Sequence, residues 1–176
     1  VHAAAETYIG LVEFGVGLIP AGGGTKEMTL RAADRFEDGD IELNNIRNAF
    51  LNIGMAKVAT SAYEAFDFSI LRKSDRVSVN QSRLLTDAKA RVIELSEAGY
   101  TPPIQRTDVR VMGKEALSMF YIGAHSMETA HFISEHDKKI SQKLAYIMSG
   151  GDLSYPQLVS EQYLLDLERE AFLSLC

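Results

Sequence analysis

The sequence has a single cysteine, four prolines and no tryptophan. With Cys176 alone, no internal disulfide can form, and no second sulfur is available for a zinc or iron–sulfur site. A reducing cytoplasm is the expected compartment. No apolar run approaches the ~20 residues that cross a bilayer, so no membrane span is expected. The N-terminus also lacks the basic-then-apolar order of a signal peptide. Positive charge is scarce: 18 Lys and Arg against 24 Asp and Glu leave a formal charge of −6, with the basic residues scattered. Neutralising phosphates needs clustered basic side chains, so a nucleic-acid partner is not expected.

Hydrophobic residues make up 46% of the chain and charged residues 24%, the balance of a protein with a packed core. A length of 176 residues suits one domain or part of a larger one. Val1 to Ala5 opens without Met and leads directly into an expected strand, while Cys176 falls inside a helical pattern. Both ends read as cut, and the expectation is a fragment.

From Thr7 to Ile19, aliphatic and aromatic residues are broken only by glycines, Thr7 and Glu13, which predicts buried extended structure. Gly22-Gly23-Gly24-Thr25 offers a turn before a helix over Lys26 to Phe36. Further helices are predicted at Leu43 to Leu51, at Ser61 to Phe66 and, as an amphipathic helix stopped by Gly99, at Ser82 to Ala98. Arg76 to Val79 reads as a short strand. Tyr100-Thr101-Pro102-Pro103 is a connector, because two prolines end any helix. It divides a region 1–99 from a helical layer 104–176. Beyond it, Met112 to Ser149 carries two or three helices stopped by Gly150-Gly151, and Ser160 to Leu175 carries the last. Leu164, Leu167, Ala171, Phe172 and Leu175 form its apolar face, with Glu168 among the charged residues placed mainly elsewhere.

Glu13 is the most informative residue, a lone carboxylate between Val12 and Phe14. Desolvation disfavours a charged carboxylate, which would suit a buried one to acid or base work. Alternation along a strand would instead turn Glu13 to water. The residues alone leave both readings open. Gly17 to Lys26 is not a phosphate loop of the Walker kind, because Thr25 precedes Lys26. Glycines at 15, 17, 22, 23 and 24 do not give the dinucleotide spacing Gly-x-Gly-x-x-Gly.

Val12 to Thr25 resembles the crotonase (enoyl-CoA hydratase/isomerase) superfamily segment, in which a Pro-Glu pair precedes an apolar run, Gly-x-x-Pro, a glycine cluster and Thr. Val12 stands where Pro is common, and Ala21-Gly22 where Gly-Ala is common. Lys143 to Gly151 and Leu158 to Leu175 extend the likeness toward the hydratase portion of bacterial fused 3-hydroxyacyl-CoA dehydrogenase/enoyl-CoA hydratases. The resemblance implies an α/β crotonase-like fold, of which this stretch would be the mainly α-helical C-terminal part with a few short N-terminal strands. It implies that Glu13 is the catalytic carboxylate exchanging a proton with the substrate α-carbon, with Gly15, Gly17, Pro20 and Gly22 lining the acyl-CoA thioester. The reaction implied is enoyl-CoA hydration in fatty-acid β-oxidation. A first glutamate and the oxyanion hole would lie upstream of Val1, so the fragment alone is expected to be inactive. No cofactor is expected in this stretch, and NAD only in a dehydrogenase domain outside it. Partners implied are the rest of the parent polypeptide and further copies in a homo-oligomer. Enoyl-CoA isomerisation and a non-catalytic assembly role are the alternatives.

Glu128-Thr129-Ala130-His131 has Glu-x-x-His spacing, and Glu135 lies one helical turn beyond, so three ligands would share one helix face. A di-iron centre needs two such motifs, and no metal is expected. His2, beside three alanines, has no partner visible in the sequence.

Overall fold

The computed structural model describes residues 1–176. In chain order the elements are β1 (His2–Ala4), β2 (Ile9–Gly10), a 3-10 turn (Glu13–Val16), α1 (Gly24–Asp34), α2 (Glu42–Gly54), β3 (Val58–Ala59), α3 (Ala62–Asp67) and β4 (Arg76–Ser78). A second 3-10 turn (Gln81–Arg83), α4 (Leu84–Glu97), β5 (Val109–Val111), α5 (Lys114–Thr129), α6 (Glu135–Met148), β6 (Gln157–Val159) and α7 (Glu161–Leu173) follow. Seven helices against six strands of two or three residues make the chain mainly helical.

Two units divide the chain, one formed by Val1–Gly10 and Val58–Ile104, the other by Leu11–Lys57 and Gln105–Cys176. Leu11–Lys57, which precedes Pro102-Pro103 in sequence, is grouped with Gln105–Cys176. In the first unit, β1 pairs with β4 in parallel, His2 opposite Arg76, and β2 pairs with β3 antiparallel, Ile9 opposite Ala59. Ala59, Ala62, Ala65 and Leu71 form its core, with Ile9, Phe66 and Val77 packed around them. Small alanines let α3 lie close to the strands. In α4 no residue is fully buried; Leu84, Ala88, Arg91 and Leu95 recur at helical spacing on its half-covered side, while Leu85 and Val92 face outward.

In the second unit α6 packs against α5, α7, α1 and α2. Ile140, Leu144, Ala145, Ile147 and Met148 are its buried stripe, none more than 1% exposed. Ser134 begins α6 with a capping box: its hydroxyl accepts from Asp137 N–H, and the Asp137 carboxylate accepts from Ser134 N–H. Phe50 of α2 stacks on Phe120 of α5, ring centroids 4.3 Å apart.

The extended run predicted from Thr7 to Ile19 is corrected. Only Ile9 and Gly10 pair as a strand; the chain then coils into the Glu13–Val16 turn, leaving Val12 and Val16 exposed. Gly17 explains the difference: at φ +81 it takes a left-handed conformation that ends the turn, and glycine meets that need at little steric cost. An apolar run broken by glycines every few residues satisfies a tight turn as well as a strand.

Candidate functional site

Glu13 is the first residue of its 3-10 turn. Gly17 N–H donates to the Phe14 carbonyl and Leu18 N–H to the Glu13 carbonyl, both at 3.1 Å, so the turn closes around the residue's own backbone. The side chain is half-buried, and its Oε2 is shielded from solvent with no hydrogen-bond partner. A buried carboxylate oxygen left unpaired opposes stability, and native structures contain few such groups; the Nδ1 of His2 and the Oγ of Ser149 are the others here. Glu13 thus lies between the two readings open in the sequence, half-buried with one carboxylate oxygen shielded.

The glycine-rich segment that follows is held from within. Pro20 is buried, and its carbonyl accepts from the Thr25 hydroxyl at 3.0 Å. Thr25 itself is buried inside the first turn of α1 rather than capping it. That capping falls to Glu168 on α7, whose Oε1 accepts from Gly23 N–H at 2.6 Å and Oε2 from Lys26 N–H at 2.8 Å. The residue is only 1% exposed. Burial pushes the Glu168 carboxyl above its ordinary value, while the N–H groups of Lys26, Gly23 and Thr25 and the charge of Lys26 pull the other way. The placement among outward-facing charges is corrected: Leu164, Glu168 and Ala171 lie at helical spacing on the inward side.

Lys26 Nζ reaches Glu161 at 2.8 Å and Glu27 at 3.2 Å. Burial lowers its pKa, but these bonds outweigh burial and the net shift is upward. Glu161 also accepts from Arg106 N–H at 2.9 Å. For Glu161, burial acts upward, and the bonds from Lys26 and Arg106 bring the net shift below the ordinary value. A helix N-terminus preceded by glycines is where a phosphate would bind. Here Glu168 fills that place.

Of the residues expected to line a thioester, Gly15 and Gly22 are exposed, and Gly22 has open space where a side chain would be. The Gly17 carbonyl is engaged by His136 of α6, whose Nε2 lies 2.8 Å away. Sequence reasoning missed both His136 and Glu168. Helical spacing was a signal for Glu168; none existed for His136, 119 residues from its partner.

The Glu-x-x-His face is corrected. Helix α5 ends at Thr129, His131 lies beyond it at φ +60, and Glu135 begins α6. Glu128 instead accepts from Lys138 Nζ at 3.0 Å, which holds its carboxyl below the ordinary value. No group of three or more His, Cys, Asp or Glu is placed to hold a metal ion. His2 does have a partner: its Nε2 lies 2.8 Å from the Ser78 hydroxyl, which donates to Asp87 at 2.6 Å. Because the hydroxyl's one proton goes to Asp87, His2 donates to Ser78 rather than accepting from it. The trio ties β1, β4 and α4 together and is not a nucleophilic triad, in which the histidine would accept the serine proton. No helix is long and apolar enough to cross a membrane.

No family model matches the sequence, and no solved structure matches it. The chain is similar to a protein of Bacillus subtilis (strain 168) named "Probable 3-hydroxyacyl-CoA dehydrogenase", with 46% identity over 175 residues. Those residues are 99% of this chain and 22% of the relative, so the chain spans about a fifth of its length. The expectation of an enoyl-CoA hydratase, a lyase, is corrected by this finding: the relative's name is that of a dehydrogenase, an oxidoreductase.

Proposed function

We propose that the chain is one segment of a fatty-acyl-CoA-processing polypeptide of the 3-hydroxyacyl-CoA dehydrogenase kind, in which Glu13 moves a proton at the α-carbon of an acyl-CoA thioester. The observation that carries this is the solvent-shielded Glu13 Oε2 with no partner, set on a closed turn. The Glu13 Oε2 is not engaged by any N–H donor, whereas both oxygens of Glu168 are. One carboxylate suffices for a double-bond shift: it takes a proton from C2 of a 3-enoyl thioester and returns it at C4, giving the 2-enoyl thioester.

Hydride transfer, the chemistry of a dehydrogenase, belongs in this reading to other parts of the polypeptide. Support comes from the strands, three separate pairs rather than a doubly wound parallel sheet, and from the α1 N-terminus, where Glu168 stands in the place of a pyrophosphate.

The test uses the full polypeptide and its Glu13→Gln variant. Deuterium incorporation at C2 of butyryl-CoA in D2O and isomerisation of 3-hexenoyl-CoA are followed beside NAD reduction with 3-hydroxybutyryl-CoA. Glu13→Gln is expected to slow the first two by about 10²–10⁴-fold and leave NAD reduction intact. Parental rates of proton exchange in the variant overturn the reading, as does an equal loss of NAD reduction.

A further inference from the structure

An acid/base group has to point at its proton, and Glu13 has no hydrogen bond to Oε2 that would aim it. What the structure fixes is the backbone of the turn that carries it. That turn is closed locally by Gly17 N–H to Phe14 and Leu18 N–H to Glu13, and its end is gripped from a distant element, where His136 Nε2 meets the Gly17 carbonyl at 2.8 Å. A carbonyl only accepts, so Nε2 carries the hydrogen, and it does so whether the ring is neutral or charged. The fit is close: a Cβ placed on Gly17 would lie 3.1 Å from the same nitrogen. The backbone of His136 is held as the second residue of α6, within the Ser134–Asp137 capping box.

We infer that His136 is a positioning residue for Glu13, holding the Gly17 end of the turn so that the carboxylate keeps one direction. The inference rests on the reading of Glu13 as the proton-transferring group. His136 is exposed, so its removal leaves the packed core of α6 unchanged.

The experiment compares His136→Ala, His136→Gln and Glu13→Gln in the full polypeptide. His136→Ala is expected to lower kcat for C2 proton exchange about 10- to 100-fold with KM for butyryl-CoA and the melting temperature unchanged. His136→Gln, whose amide N–H can reach the same carbonyl, is expected to restore most of that rate. Amide hydrogen exchange at Gly17 and Leu18 is expected to speed up about tenfold in His136→Ala. Full activity in His136→Ala, no rescue by His136→Gln, or unchanged exchange at these amides overturns the inference. The two claims fail differently: if Glu13→Gln keeps its activity, the reading of Glu13 falls, while faster amide exchange in His136→Ala still establishes the hold on the turn.

Discussion

Gly150 and Gly22 differ in what surrounds them, and the difference sets the expected cost of a methyl group at each. Gly150 ends α6 at φ +79; a Cβ there would drive into Val111 of β5, while the Gly150 carbonyl accepts from the Tyr163 hydroxyl at 3.0 Å. Gly150→Ala combines left-handed strain with overpacking and is expected to lower stability by about 2–4 kcal/mol. Gly22, in the segment expected to line a thioester, has open space where a Cβ would sit. Gly22→Ala is expected to stay within about 0.5 kcal/mol of the parent. Urea unfolding of the two variants checks both, and equal losses would contradict the geometric account. At this scale the sequence picks out Glu13 by its apolar neighbours, yet the turn that holds it depends on a bond to a residue 119 positions from Gly17, which no local pattern encodes.

Between elements, Glu168 joins α7 to the start of α1. In Glu168→Gln the amide offers one acceptor where the carboxylate offers two, and its NH2 faces the Gly23 or Lys26 N–H. The variant is expected to lose about 1–3 kcal/mol, with the faster amide exchange concentrated at Gly23 to Lys26. Uniform exchange along the chain would show that the bond is not the cause. The helices were legible because polar and apolar residues repeat at 3.6 spacing: Lys26 to Phe36, Leu43 to Leu51 and Ser160 to Leu175 overlap α1, α2 and α7. The strands were less so, since β2 and β3 hold two residues each, too short for alternation to register. The metal-like face failed because spacing alone cannot show that a helix ends between two candidate ligands.

For the whole molecule, the carboxyls divide unevenly. Glu64, Asp87, Glu94, Asp108, Glu128, Asp137 and Glu161 are held below their ordinary values, and Glu168 above. A carboxyl lowered in the fold adds stability that is present above its unfolded value, 3.8 for Asp and 4.5 for Glu, and is lost as pH falls through its folded value. Glu168 has the opposite sign: its share is complete below 4.5 and fades as pH rises through its folded value. Seven carboxyls are lowered against one raised, so the urea midpoint is expected to drop from pH 5 to pH 2.5. Asp87→Asn, which removes the group held down first by the Ser78 hydroxyl, is expected to flatten that decline. A midpoint that rises on acidification would contradict this account.

The bond from Glu168 to Lys26 N–H spans 142 residues of chain. At roughly 5–20 residues per second of synthesis, the first turn of α1 would wait roughly 7–30 s before its cap is made. Through that interval its N–H groups have only water or a passing anion to bond. Completion of the glycine-rich turn is therefore a late event in folding, timed by the arrival of α7 and not by the appearance of the turn itself.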